Sequence, residues 1–298
     1  MKILVLGSGG QLGRCLNDQL ANTDHEVFYT SRDQIDIADF EATKNKIIDI
    51  APDVVINASA YTAVDKAEDD REAADLVNHL AVANIANICN ELGCWLIHVS
   101  TDYVFDGLSS KPYLENDQTN PQSVYGDTKL KGEIAIQSSG CNYLIIRTAW
   151  VFSEYGDNFL KTMLRLGADH DELSIVGDQI GCPTYAPDLA KAIITTLPYL
   201  EDDQQNRIYH YAGSPCCPWT EFAQSIFDEA WQAGKLTNKP HIVTITSQEH
   251  PTTAKRPANS MLNSSKFEAV FKHNASDWLA GIRAVVNSLN NSVEKRKI

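Results

Sequence analysis

The stretch SVYGDTKLKGE, from Ser123 to Glu133, sets a tyrosine four positions before a lysine. On a helix, Tyr125 and Lys129 share one face. A phenol with an ordinary pKa of about 10 exchanges protons poorly at neutral pH. A cation about 4–5 Å away contributes about 3–4 kcal/mol at an effective dielectric of about 20. That is enough to lower the phenol by about two to three pH units. A phenol so tuned hands a proton to an oxygen as hydride reaches the adjacent carbon. The lysine can also hold a ribose, so the pair suits a nicotinamide site. The plainer alternative is two amphipathic side chains on a helix surface, and what precedes them weighs against it. The strand-like CWLIHVS runs into STDYVFDG, with Ser100 and Thr101 where the C-terminal end of a parallel strand meets a ligand crevice. A Thr101 hydroxyl there would hold a carbonyl oxygen in line with the tyrosine; its plain alternative is a strand-end cap. Thr101, Tyr125 and Lys129 are the candidate catalytic residues.

A second chemical feature lies at the start of the chain. Gly7-Ser8-Gly9-Gly10-Gln11-Leu12-Gly13 follows the first strand directly and opens a helix. Gly7, Gly10 and Gly13 allow a tight turn, close approach to a pyrophosphate and close helix–strand packing, while the helix N-terminus offers N–H groups to phosphate. The spacing is GxxGxxG rather than GxGxxG, but its place at the head of a βαβ pattern points to a dinucleotide. The second strand ends YTSRD, with Thr30, Ser31 and Arg32 ahead of Asp33. An NAD site usually has an acid at this place, whereas a guanidinium suits a 2'-phosphate. NADPH is the favoured cofactor, NADH stays open, and a solvated loop arginine is the alternative for Arg32.

These residues need a frame. KILVLG, EVFYTS, DVVINAS, CWLIHVS and YLIIRTAWVF read as strands, separated by helices at Gln11–Asn22, Asp39–Ile50, a long run through REAADLVNHLAVANIANICNELG, and one starting near Tyr125. Apolar strands alternating with helices predict an α/β fold, a Rossmann-type doubly wound parallel sheet. Residues 1–150 form the expected dinucleotide-binding domain. Residues 151–298 are expected to be mainly a smaller C-terminal α/β substrate lobe, with segments that return to the first. The tail NSVEKRKI reads as frayed.

Bulk properties exclude some partners. The net charge of -14 and pI near 4.9 argue against nucleic acid or an anionic membrane surface. They leave room for a small anion in a local positive pocket. No apolar run is long enough to span a membrane, and MKILVLGSGG enters a strand directly, so no signal peptide is expected. The eight histidines show no HExxH or paired spacing, so no catalytic metal is expected. The seven cysteines, Cys15, Cys89, Cys94, Cys141, Cys182, Cys216 and Cys217, form neither an even set nor a CxxC pair. They read as free thiols of a reducing cytoplasm.

The glycine loop, the strand-end threonine and YxxxK, in this order, resemble the extended short-chain dehydrogenase/reductase family. The resemblance covers nearly the whole chain. Its most specific motifs are NASAYTAVDKAE from Asn57, STDYVFDG from Ser100, YGDTKLKGE from Tyr125 and RTAWVF from Arg147. NFLKTMLRL from Asn158, DQIGCPT from Asp178 and RPANSML from Arg256 add to them. The resemblance implies reduction of the C4 ketone of a dTDP-linked 6-deoxy-4-keto-L-sugar. It makes Tyr125 the proton donor, Lys129 its tuner and ribose holder, and Thr101 the residue that orients the ketone. It assigns Gly10, Gln11 and Leu12 to the cofactor diphosphate, Asp36 and Ile37 to the adenine side, and Ala60, Tyr61 and Thr62 to the cofactor's flanks. Asp102 and Trp150 would meet the nucleotide sugar, with Arg256 at its diphosphate. The plain alternatives are a turn cap for Asp36 and a core position for Trp150. Some members form homodimers through a magnesium held by glutamates, one of them in the first helix; Cys15 stands there, which speaks against a metal-bridged dimer, and a homodimer as such stays open. Two rivals remain: a non-catalytic regulatory subunit of the same fold, and a reductase or epimerase of another nucleotide sugar. Thr101, Tyr125 and Lys129 speak against the first, and the surroundings of Trp150, Gly181 to Thr184 and Arg256 would decide the second.

Overall fold

The computed structural model describes residues 1–201 and 208–289; the tail NSVEKRKI lies outside them. The first half runs β1 (Lys2–Leu6), α1 (Gln11–Leu20), β2 (Glu26–Thr30), α2 (Phe40–Ile50), β3 (Val54–Asn57), α3 (Val64–Ala67), α4 (Arg71–Asp75), α5 (Ala81–Leu92), β4 (Trp95–Thr101), α6 (Val124–Ser138) and β5 (Asn142–Thr148). The second half runs β6 (Val151–Phe152), α7 (Phe159–Asp169), β7 (Glu172–Val176), β8 (Ile180–Gly181), β9 (Thr184–Tyr185), α8 (Ala186–Thr196), β10 (Ile208–His210), β11 (Cys217–Pro218), α9 (Trp219–Gln232), β12 (His241–Ile245), α10 (Ser265–Phe271) and α11 (Trp278–Ser288).

Strands β1, β3, β4 and β5 are apolar and almost wholly buried, as strands covered on both faces must be. They form one six-stranded sheet in the order β10-β5-β4-β3-β1-β2, and every pairing in it is parallel. The chain leaves β1 for β2 on one side and returns to β3 on the other. The order therefore reverses between β1 and β3, where a doubly wound sheet opens its ligand crevice at the C-terminal strand ends. One face of the sheet is covered by α1 and α8, with Leu12 and Leu16 packed among Leu189, Ala190 and Ile193. The other is covered by α2, α5 and α6 through Ile47, Ile85, Ile88 and Ile136. Local capping sets several helix starts: Asp39 accepts from Ala42 N–H, Ser123 from Gly126 N–H and Asp277 from Ala280 N–H.

The long helix expected from Arg71 onward is interrupted by a π-helical stretch at Leu76–Leu80. The wider turn points Asn78 inward. Its Oδ1 accepts Tyr61 N–H at 2.9 Å, and its Nδ2 donates to Tyr61 O and Thr128 Oγ1 at 3.1 and 3.2 Å. These bonds pin the loop after β3 to α6, a tertiary demand that helical periodicity does not reveal.

Among the described residues, the second half of the chain adds three two-stranded sheets, β7 with β12, β8 with β11 and β6 with β9. Its core gathers Phe152, Leu160, Phe222, Ile226, Trp278 and Ile282. Strand β10 and helix α8 belong spatially to the large sheet, β10 paired with β5 and α8 packed on α1. No helix among the described residues is long and apolar enough to cross a membrane.

Candidate active site

Two adjoining cavities open along the C-terminal ends of β1, β3 and β4. They share Gly10, Ala58, Ser59 and Ala60. The first, about 470 Å³, is lined among others by Gly7, Arg32, Asp36, Ile37 and Tyr61. Gly7 lies in the left-handed region, with φ +81°, and a Cβ on Gly13 would overlap Gly7 O. These two positions hold α1 tight against the end of β1, as the glycine spacing requires. Gly10 caps α1 without a side chain, and no acid occupies the first turn. The helix N–H groups therefore face the shared rim unopposed, which fits a diphosphate. Volume, glycine cradle and helix terminus together fit a dinucleotide. Arg32 stands at the cavity wall, largely exposed, its Nε 3.2 Å from Asp36 Oδ2. Asp36 Oδ1 also accepts Ala38 N–H at 3.0 Å, so Asp36 does hold a local turn. Gln11 is tied to the segment between β6 and α7, its Oε1 accepting from Ser153 Oγ and Asn158 Nδ2, both at 2.9 Å.

The second cavity, about 640 Å³, brings together Gln11, Leu12, Thr62, Thr101, Asp102, Tyr125, Lys129, Trp150 and Arg256. Thr101 is the last residue of β4, and its Oγ1 donates to Asp102 Oδ1 at 2.9 Å. Burial pushes Asp102 up to about 6, against the hydrogen bonds from Thr101 and Ser260. Tyr125 and Lys129 sit on the first turns of α6, which approaches the turn after β4 so closely that a Cβ on Gly126 would overlap Tyr103 O. Beneath them a fully buried ion pair fixes the helix to the sheet: Arg147 Nη2 meets Glu133 Oε2 at 2.7 Å, and Ser100 Oγ donates to Glu133 Oε1. Such a pair adds little net stability but is costly to break, so it holds orientation.

Burial is the largest influence on the Tyr125 phenol in this structure. Burial holds the Tyr125 phenol well above its ordinary value; the Thr101 hydroxyl draws it partly back, while Asp102 and Tyr103 push it further up. The Lys129 side-chain nitrogen is turned to β4, with Nζ 2.7 Å from Val99 O and 3.1 Å from His98 Nε2. Burial draws Lys129 itself down to about 8, against Glu133, which favours its charge. Sharing a helix face is a local property, whereas the groups that face each side chain are set by the sheet below.

Just after β5, Trp150 has φ +47° and lies flat on Trp219, ring centroids 3.3 Å apart and planes within 5°. Both indoles line the cavity, so Trp150 is not an enclosed core residue. A Cβ on Gly181 would overlap the Trp150 ring, which is why DQIGCPT carries a glycine there. In the sequence Trp219 marks only the start of an amphipathic helix. Its Nε1 donates to Gln179 Oε1 at 3.2 Å, which fixes the ring. Arg256 reaches the cavity with Nη2 2.8 Å from Asp65 Oδ2, and its buried Nε has no hydrogen-bond partner. Asp65 lies inside the AYTAVDKAE stretch, where nothing local distinguishes it from its acidic neighbours.

Nor do the cysteines all remain thiols. Cys182 and Cys216 form a disulfide, while Cys15, Cys89, Cys94 and Cys217 are buried thiols. The antiparallel β8–β11 register sets Gly181 opposite Cys217, and so brings their neighbours Cys182 and Cys216 together. Spacing along the chain contains no trace of that register. Among the described residues no group of three His, Cys, Asp or Glu side chains is arranged to hold a metal ion.

The sheet order and the cradle at its switch point define a Rossmann-type α/β protein. Within that class, the family model described as the RmlD substrate binding domain matches residues 1–291, and the chain belongs to this family. The dTDP-4-dehydrorhamnose reductase of Aggregatibacter actinomycetemcomitans is 41% identical over 287 residues, covering 95% of this chain and 98% of the relative. The crystal structure of a dTDP-4-dehydrorhamnose reductase from Clostridium acetobutylicum superposes with a TM-score of 0.89 at 36% identity, over 96% of this chain and 99% of that one. That of the Bacillus anthracis dTDP-4-dehydrorhamnose reductase in complex with NADP gives 0.87 at 30% identity, over 95% and 98%.

Proposed function

We propose that the protein is an NADPH-dependent reductase of the C4 ketone of dTDP-4-dehydro-β-L-rhamnose, yielding dTDP-L-rhamnose. The observation that carries this reading is the convergence of Thr101, Tyr125 and Lys129 with Trp150 and Arg256 on one cavity beside the glycine cradle. The names of relatives near 40% identity over almost their full length support it, and the NADP complex of the Bacillus anthracis enzyme supports the cofactor.

When bound, the nicotinamide supplies hydride to the carbonyl carbon. Gly7, Gly10, Gln11, Leu12 and Gly13 hold the diphosphate at the head of α1. Asp36, Ile37, Ala60, Tyr61 and Thr62 line the cofactor's path, and Arg32 meets the 2'-phosphate. Tyr125 enters the reaction as a fully protonated phenol because burial raises its pKa. It delivers that proton to the C4 oxygen, so the ketone gains a hydride and a proton and leaves as an alcohol. Thr101 orients the oxygen from the end of β4. Asp102 and the Trp150–Trp219 wall bound the sugar, and Arg256 offsets the nucleotide diphosphate in an otherwise acidic protein.

The test is nicotinamide oxidation with dTDP-4-dehydro-L-rhamnose, run in parallel with NADPH and NADH. Turnover to dTDP-L-rhamnose, faster with NADPH, is expected. Absence of turnover with either cofactor, despite clear cofactor binding, would overturn the reading.

A further inference from the structure

Gln11 opens α1, and its side chain is held by one end only. Oε1 accepts from Ser153 Oγ and from Asn158 Nδ2, both at 2.9 Å. The amide has no free choice of direction, because the groups around Asn158 can act in one sense only. Lys161 N–H donates to Asn158 Oδ1 at 3.0 Å, and the carbonyls of Ser153 and Tyr155 accept from Asn158 Nδ2 at 2.8 and 3.3 Å. Asn158 therefore turns a donor to Gln11, and Gln11 must answer with its oxygen. Tyr155 N–H donates to Ser153 Oγ at 3.1 Å, which leaves the Ser153 hydroxyl proton for Gln11 Oε1 and for Tyr155 O at 3.2 Å. Ser153 is fully buried. The segment folds so closely around the glutamine stem that a Cβ on Gly156, itself at φ +59°, would stand 3.0 Å from Gln11 Cγ. Tyr155 OH adds a second tie to α1, donating to Asp18 Oδ2 at 2.7 Å. The other end of the Gln11 amide, Nε2, has no hydrogen-bond partner among the described residues and is not sealed in by protein. It belongs to the wall of the larger cavity, as do Asp157 and Asn158.

We propose that Ser153 and Asn158 are positioning residues that hold the Gln11 amide with Nε2 turned outward, where it donates to an oxygen of the cofactor's diphosphate. The diphosphate lies at the head of α1, and Gln11 is the first residue of that helix. An N–H aimed at phosphate makes a charge-assisted bond, whereas the reversed amide would set its oxygen against an anion. A glutamine on its own samples many rotamers, so holding the donor ready removes an ordering cost that binding would otherwise carry. The same segment that bounds the sugar cavity therefore sets part of the grip on the cofactor. The inference deepens the reductase reading and rests on it for the identity of the cofactor.

The test is titration calorimetry of the full chain with NADP+, without any sugar nucleotide, so that binding is read and not turnover. Asn158→Ser keeps a side chain able to cap α7 but too short to reach Gln11. Ser153→Ala removes the other donor. Each should raise the Kd for NADP+ by about threefold to tenfold, the worth of one hydrogen bond. Neither should do so in a Gln11→Met background, where no amide remains to be aimed. A role confined to the packing of α7 would weaken the cofactor equally in both backgrounds. A folded Asn158→Ser protein with an unchanged Kd, or a loss that persists undiminished beside Gln11→Met, overturns the inference and leaves the reductase reading standing. A wild-type chain that binds no NADP+ overturns both.

Discussion

Replacing Asp102 with asparagine should stabilise the protein at neutral pH, by an amount that the structure sets. The side chain is 3% exposed, and burial raises its carboxyl from 3.8 to about 6. A carboxylate whose folded pKa lies above its unfolded one binds its proton more tightly in the native state. Its contribution to stability is therefore present below about pH 4 and lost as pH rises through about 6. The substituted amide would mimic the protonated form at every pH. The bond from the Thr101 hydroxyl, 2.9 Å from Oδ1, survives the change, since a hydroxyl can donate to an amide oxygen equally well. A difference of about two pH units corresponds to about 3 kcal/mol above pH 6. At about pH 4 the same linkage leaves only about 0.5 kcal/mol, so the advantage of the variant should grow by about 2 kcal/mol between pH 4 and 7.

Urea unfolding followed by tryptophan fluorescence, run on both proteins across that range, measures it. Histidines such as His98 and His210 have lowered pKa values and make both proteins lose stability as pH falls below about 6.5. They are common to the pair and cancel in the difference. A stability difference that stays flat with pH, or shrinks as pH rises, would refute the claim that burial raises Asp102. The same variant should turn over more slowly, because the charge it removes lies beside Thr101 in the reacting cavity, and stability gained at such a site usually costs activity.

The remaining predictions concern the reaction. Tyr125→Phe should abolish ketone reduction while leaving cofactor affinity, measured by titration calorimetry, nearly unchanged; retained turnover would remove the acid role. Arg32→Asp should shift the ratio of kcat/KM values from NADPH toward NADH, and an unchanged ratio would mean that Arg32 does not read the 2'-phosphate. Arg256→Ala should raise KM for the nucleotide sugar by about tenfold to a hundredfold, the worth of a charge-assisted hydrogen bond of about 1.5–3 kcal/mol. Its kcat should change little, and a loss confined to kcat would place Arg256 at the chemistry instead of the diphosphate.

Much of the architecture is legible along the chain because it depends on neighbours a turn or a strand apart. Apolar runs such as KILVL and VVIN, separated by helices, announce a parallel sheet buried on both faces. Asp39, Ser123 and Asp277 start their helices by local capping, and the glycines at 7 and 13 are needed where one strand turns into one helix. The i, i+4 spacing alone puts Tyr125 and Lys129 on one face. What those two residues do to each other is not local. The direction of the Tyr125 shift follows from the depth of its burial, and the hydrogen-bond partners of Lys129, His98 and Val99, come from β4. Likewise Asp65 and Arg256 meet across 191 positions, Trp219 stacks on Trp150 only because the fold brings the start of α9 to the end of β5, and the Cys182–Cys216 bond follows from the register of β8 against β11. Periodicity and motif spacing encode which elements form and which side chains share a face. Burial, donor direction and charge state depend on segments that only the folded chain brings together, and tertiary structure alone decides them.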